Sequence, residues 1–128
     1  MWRIFRTVRV KRPQRPHPGL TRHSEDARVL VHAKLAYWNQ FYHFSYNRVS
    51  IRNQSTRWGS CSSKGNLNFN YRIVHLPERL VDYLIVHELC HLGEMNHSAN
   101  FWNLVAQTIP DYEQCRADLH NVSMRAML

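Results

Sequence analysis

His87-Glu88-Leu89-Cys90-His91 is the stretch on which the reading turns. Two histidines four residues apart on a helix lie one turn above each other, on one face. Both imidazoles can then reach a single metal ion. Glu88 follows the first histidine and can stand beside a water on that ion. Zinc suits such a pair, taking imidazole nitrogen at about 2.0–2.1 Å in tetrahedral sites. With the glutamate as general base, the pattern is that of a zinc peptidase.

The chain holds nine histidines, so a chance match has to be weighed. The neighbouring residues oppose chance. Tyr83-Leu84-Ile85-Val86 runs apolar up to His87, and Leu89, Cys90 and Leu92 continue it. A helix apolar on most of its faces is a buried helix. Histidines and a glutamate buried there need partners, because an unpaired buried polar group costs about 2–7 kcal/mol. A metal ion supplies one. Cys90 lies off the histidine face and reads as core.

A catalytic zinc takes three protein ligands and keeps one position open. The candidates for the third are His97, Glu94, Asp111 and Glu113. On a continued helix His97 would fall about 240° around from His91, out of reach. Gly93 is the usual residue for a left-handed position after a helix. A break there lets Glu94-Met95-Asn96 turn the chain back, and Asn96 also tolerates left-handed geometry. His97 then arrives beside the ion. Glu113 is the runner-up, and Glu94 is expected to face solvent.

The 128 residues suffice for one domain with a core. No run approaches the ~18 apolar residues of a membrane-spanning helix. Three cysteines, without Cys-x-x-Cys spacing, argue against a disulfide framework and a cysteine zinc knuckle. A reducing, cytoplasmic setting is the expectation. The formal charge of +8 is uneven. Arg3, Arg6, Arg9, Lys11, Arg12, Arg15 and Arg22 precede every acidic residue, leaving the rest nearly neutral. Residues 1–22 therefore read as a basic tail, with Pro13, Pro16, Pro18 and Gly19 marking a linker, and 23–128 as the domain. Such a tail is a solvated arm, a binder of nucleic acid, or a segment (Trp2–Val10) that adds to the sheet or lies across the cleft.

Within the domain, Ser24 caps a helix to about Phe41, with Leu30, Lys34, Leu35, Trp38, Phe41 and Tyr42 as its inner stripe. Segments 48–52, 57–62 and 67–74 alternate as strands of a small antiparallel sheet, with Gly65 in the turn. Pro77 suits the first turn of the metal-motif helix. A third helix starts near Ser98 and stops at Pro110, and a last one spans 111–120. The fold class is α+β, a short antiparallel sheet with three to four helices.

The motifs, taken together, are similar to those of the YgjP-like metallopeptidases, relatives of the SprT and WLM families among the gluzincin-type zincins. The resemblance rests on Arg57-Trp58-Gly59-Ser60-Cys61-Ser62, Gly65-x-Leu67, Asn70, Arg72, Asp82-Tyr83, His87-Glu88-Leu89-x-His91-Leu92 and Asn96-His97-Ser98-x-x-Phe101-Trp102. It covers roughly residues 24–119, in the family's order. It implies a small zincin-like domain, one zinc per chain and hydrolysis of peptide bonds. By position it makes His87, His91 and His97 the ligands and Glu88 the base. The metzincin pattern shares the histidine spacing, but its glycine would fall at Glu94. YgjP-like proteins often carry a longer N-terminal sheet region than residues 1–22 can form.

Further expectations follow. Strand 67–74 aligns substrate backbone at the cleft edge. Arg72, Tyr71, His75 and Tyr112 are candidates for the oxyanion donor. Asn70 and Trp58-Gly59-Ser60 read as scaffold, and Asp82 as a solvated residue or a support for a ligand histidine. The partner is a peptide or protein, with no membrane. The competing functions are a DNA-associated SprT-like protease using the tail, and a non-catalytic module stabilised by zinc. Glu88 speaks against the last, since a purely structural zinc has no need of it.

Overall fold

A computed structural model describes residues 18–122, with side chains from residue 23. Expectations for the tail before residue 18, including nucleic-acid binding, lie outside the described residues. So do those for residues 123–128.

Helix α1 spans Pro18–Asn39. It starts six residues before the expected cap at Ser24. Proline at a helix start loses nothing, because its missing N–H would have no helical partner there, so Pro18 opens the helix instead of breaking the chain. Ala27, Val31 and Leu35 are its fully buried residues, one turn apart, and Leu30, Trp38 and Tyr42 pack alongside. Phe41, expected on the inner stripe, is half exposed. The helix reverses through His43, which takes a left-handed φ of 60°. The Asn39 amide closes that turn, accepting from Phe44 N at 2.9 Å and donating to its carbonyl at 2.8 Å.

The sheet is mixed, in the order β1-β3-β2, with β1 at Arg48–Arg52, β2 at Gly59–Cys61 and β3 at Asn66–Asn70. β2 and β3 form the expected hairpin, but β1 runs parallel to β3, which lies between the other two. Alternation fixes which residues face the core; it carries no information on which strand pairs with which. Gly65, at φ 82°, makes the turn left-handed, and Ser62 Oγ accepts from Lys64 N and Asn66 N across it.

β3 stops four residues short of the expected Val74. Asn70 Oδ1 accepts from Arg72 N at 3.0 Å and turns the chain into a 3-10 helix, Tyr71–His75. An asparagine side chain that bonds its own backbone competes directly with the strand ladder. The other end of the same amide holds the loop before β2, donating to the Arg57 carbonyl at 3.0 Å and to that of Gln54.

Helix α2, Glu78–Cys90, is preceded by Pro77 at its N-cap and is buried around most of its circumference. α1, β2, α3 and α4 pack around it. Asp82 accepts from Trp38 Nε1 at 2.9 Å and pairs with Lys34 at 2.8 Å, so it clips α1 to α2 and supports no histidine. Helix α3 spans Ala99–Ala106, with Ser98 Oγ accepting from Phe101 N as its cap. Helix α4 spans Tyr112–His120. The three cysteines are buried.

Candidate metal centre

His87 and His91 project from the last turns of α2, ring centroids 4.9 Å apart. The chain leaves the helix with Gly93 N and Glu94 N both bonded to the Cys90 carbonyl, at 3.1 and 3.0 Å. Neither Gly93 nor Asn96 is left-handed; among the described residues only His43 and Gly65 have positive φ. Gly93 is small for a different reason. A Cβ there would stand 2.8 Å from the Phe44 ring, so the turn after α1 seats directly on the end of α2.

The turn brings His97 back to the other two histidines. The three Nε2 atoms lie 3.2 Å (His87–His91), 3.0 Å (His91–His97) and 3.2 Å (His87–His97) apart. Three nitrogens at 2.0–2.1 Å from a tetrahedral zinc would be about 3.3 Å apart. The triangle fits such an ion, and the three residues could hold one. The set is graded in exposure: His91 is buried, His87 partly buried and His97 exposed. The cluster therefore opens on the His97 side.

Each helical histidine is also held from behind. His91 Nδ1 is 3.0 Å from the Glu94 carbonyl. A carbonyl only accepts, so the proton sits on Nδ1 and the Nε2 lone pair faces inward. His87 Nδ1 is 3.2 Å from the Tyr83 hydroxyl. The Phe101 ring stacks on His91 at 4.3 Å, and Trp102 stacks on His97 at 5.7 Å. Burial lowers the proton affinity of all three imidazoles, His91 to a pKa of about 4. Neutral imidazole is the form that binds metal.

The Glu88 carboxylate lies against Gly59 of β2. It is buried, and its Oε1 accepts no hydrogen bond among the described residues. A Cβ on Gly59 would stand 2.9 Å from Glu88 Oε2, so the glycine leaves room for the carboxylate. Burial raises the Glu88 pKa well above the usual carboxylate value, and among the described residues the charge of Arg57 opposes it.

Other sequence candidates fall elsewhere. Glu113 and Asp111 are exposed and lie outside the histidine group. Glu94 contributes its backbone. Arg72 is buried, donates to the Gln54 carbonyl at 2.8 Å and covers the Tyr71 ring, which makes both of them scaffold. His75 packs on His23, and Tyr112 stacks on Trp102. β3 is paired on both edges and cannot add a substrate strand; the edge strand beside Glu88 is β2. Sequence reasoning missed Tyr83, although its place one turn before His87 signals the contact. It also missed the Glu94 carbonyl, which no side chain announces, and the Arg116 guanidinium, 5.2 Å from the Trp102 ring centroid.

Residues 19–122 match the family described as YgjP-like, metallopeptidase domain. The chain belongs to the YgjP-like metallopeptidase family. It is accordingly a metallopeptidase, a hydrolase acting on peptides or proteins. Two solved structures share the fold. The metallopeptidase zymogen of Pyrococcus abyssi abylysin is 23% identical, with a TM-score of 0.64 over 70% of this chain and 90% of its own. The metallopeptidase zymogen of Methanocaldococcus jannaschii jannalysin is 24% identical, with a TM-score of 0.56 over 73% and 93%. No curated protein matches the sequence. No helix among the described residues is long and apolar enough to cross a membrane.

Proposed function

We propose that the chain is a zinc-dependent peptidase in which His87, His91 and His97 hold one zinc and Glu88 is the general base. The convergence of three Nε2 atoms within 3.0–3.2 Å carries the reading. When bound, zinc supplies Lewis-acid polarisation and brings the pKa of water from 15.7 towards about 7.

The protein's part is proton handling and positioning. Glu88 accepts the proton of the attacking water and later hands it to the leaving amine. A buried carboxyl with a raised pKa suits both transfers, because a catalytic group works best when its pKa approaches the operating pH. Its unpartnered Oε1 leaves an acceptor available for that proton. Tyr83 and the Glu94 carbonyl fix the rings of His87 and His91. A purely structural zinc would take four protein ligands and need no buried free carboxylate. Three histidines and Glu88 favour the catalytic reading over a zinc-stabilised binding module.

The Glu88→Gln chain tests this. It should keep its metal and lose about 10²–10⁴-fold or more in cleavage of a broad peptide library. Cleavage at the wild-type rate would show that Glu88 is not the base.

A further inference from the structure

Arg116 is an exposed cation held on an aromatic ring instead of by a carboxylate. Arg28, Lys34 and Arg79 each pair with a carboxylate. Arg116 makes no ion pair among the described residues. Its guanidinium rests on the face of Trp102, whose ring stacks in turn on His97 and Tyr112. A planar guanidinium on an aromatic face keeps its five N–H donors at the rim, where they fit a carboxylate in a two-point contact. Arg116 also lines a concavity on α4 with Glu113, Ala117, His120 and Asn121. Trp102 thus links that concavity to His97, the exposed member of the cluster.

We propose that Arg116 is a specificity-determining residue that takes a carboxylate of the peptide substrate close to the scissile bond. The inference rests on the peptidase reading above. Two contacts, of 5.2 and 5.7 Å, separate the guanidinium from the His97 ring. An extended peptide advances about 3.3–3.6 Å per residue, so the carboxylate belongs within about three residues of the bond cut. An acidic side chain and the C-terminal carboxylate share this chemistry. The charge of Arg116 already reaches the cluster, adding to burial in lowering the proton affinity of His87 and His97. Glu113, one turn earlier on α4 and on the same concavity, is the acid that would oppose an anionic ligand; it forms no ion pair with Arg116 among the described residues.

The test measures binding, apart from turnover. Fluorescent peptides are titrated by anisotropy into the full-length, zinc-loaded Glu88→Gln chain. One peptide pair differs by a free or amidated C-terminus, the other by Glu or Gln at an internal position. The acidic member of at least one pair should bind tenfold or more tightly. Arg116→Gln should erase that preference, Arg116→Lys should keep part of it, and Glu113→Gln should not weaken it. The responding pair identifies the source of the carboxylate. Equal affinity within both pairs, no measurable binding, or a preference that survives Arg116→Gln would overturn the proposal. A uniform loss of turnover in Arg116→Gln on all peptides, with affinities unchanged, would also overturn it by assigning the guanidinium to the reacting carbonyl. Wild-type protein that binds these peptides with the expected preference but cuts none would refute the peptidase reading instead.

Discussion

Tyr83 and the Glu94 carbonyl hold the outward nitrogens of His87 and His91, and so decide where the inward ones point. Groups behind a ligand histidine usually matter 10- to 100-fold in metal affinity. Tyr83→Phe removes one such group while keeping the ring in the core. Zinc affinity, measured against a competing chelator, should fall by about that factor; unchanged affinity would make the hydroxyl incidental. Protonation at the same residues links the site to pH. Burial keeps the three histidines neutral in the folded metal-free chain below their ordinary value of 6.5, down to about 4 for His91. The unfolded chain takes protons there first, so stability must drop as pH falls from about 6.5 towards 4. Glu88 acts oppositely, because its raised pKa leaves the folded chain holding the extra proton. Urea unfolding of the metal-free Glu88→Gln chain isolates the histidines. Its stability should decline steadily from pH 7 to 4.5, and a flat profile would contradict the burial argument.

Among the elements, the contact of β2 with α2 is the one on which the proposed role of Glu88 depends. Gly59→Ala would place a methyl against Glu88 Oε2 at 2.9 Å and the Asn68 carbonyl at 3.1 Å. The backbone atom cannot retreat, so the carboxylate must. The variant should keep its metal and lose at least about tenfold in kcat, on the scale of a base displaced from its reach. Wild-type turnover would mean that the carboxylate works from another position. The sequence made α2, its motif and its burial readable, because an apolar run broken only by His-Glu-x-x-His has few other solutions. The same holds for the start of α3 near Ser98 and the Gly65 turn. What escaped depends on contacts between distant residues. The parallel partner of β1 is set by docking, and the end of β3 by one asparagine amide reaching back to Gln54 and Arg57. Gly59 and Gly93 are small because Glu88 and Phe44 approach them, which local spacing does not encode. Pro18 and Gly19 read as linker residues since both break helices internally, yet at a helix start neither does.

For the molecule as a whole, the fold is a housing for one helix end. α1 clips to α2 through Lys34, Trp38 and Asp82, and its reversal seats Phe44 on Gly93. α3 follows from the Ser98 cap and sets Phe101 and Trp102 against the histidines. These packings meet at the turn that returns His97, so the triangle of nitrogens is a product of the entire domain. Metal content of the purified full chain, read by elemental mass spectrometry, therefore tests the central claim most directly. The wild type should hold one zinc per chain. His87→Ala and His91→Ala should lose it, His97→Ala should bind it more weakly, and Glu113→Ala should bind it as the wild type does. Full zinc occupancy in His87→Ala and His91→Ala, or loss of zinc in Glu113→Ala alone, would contradict the account.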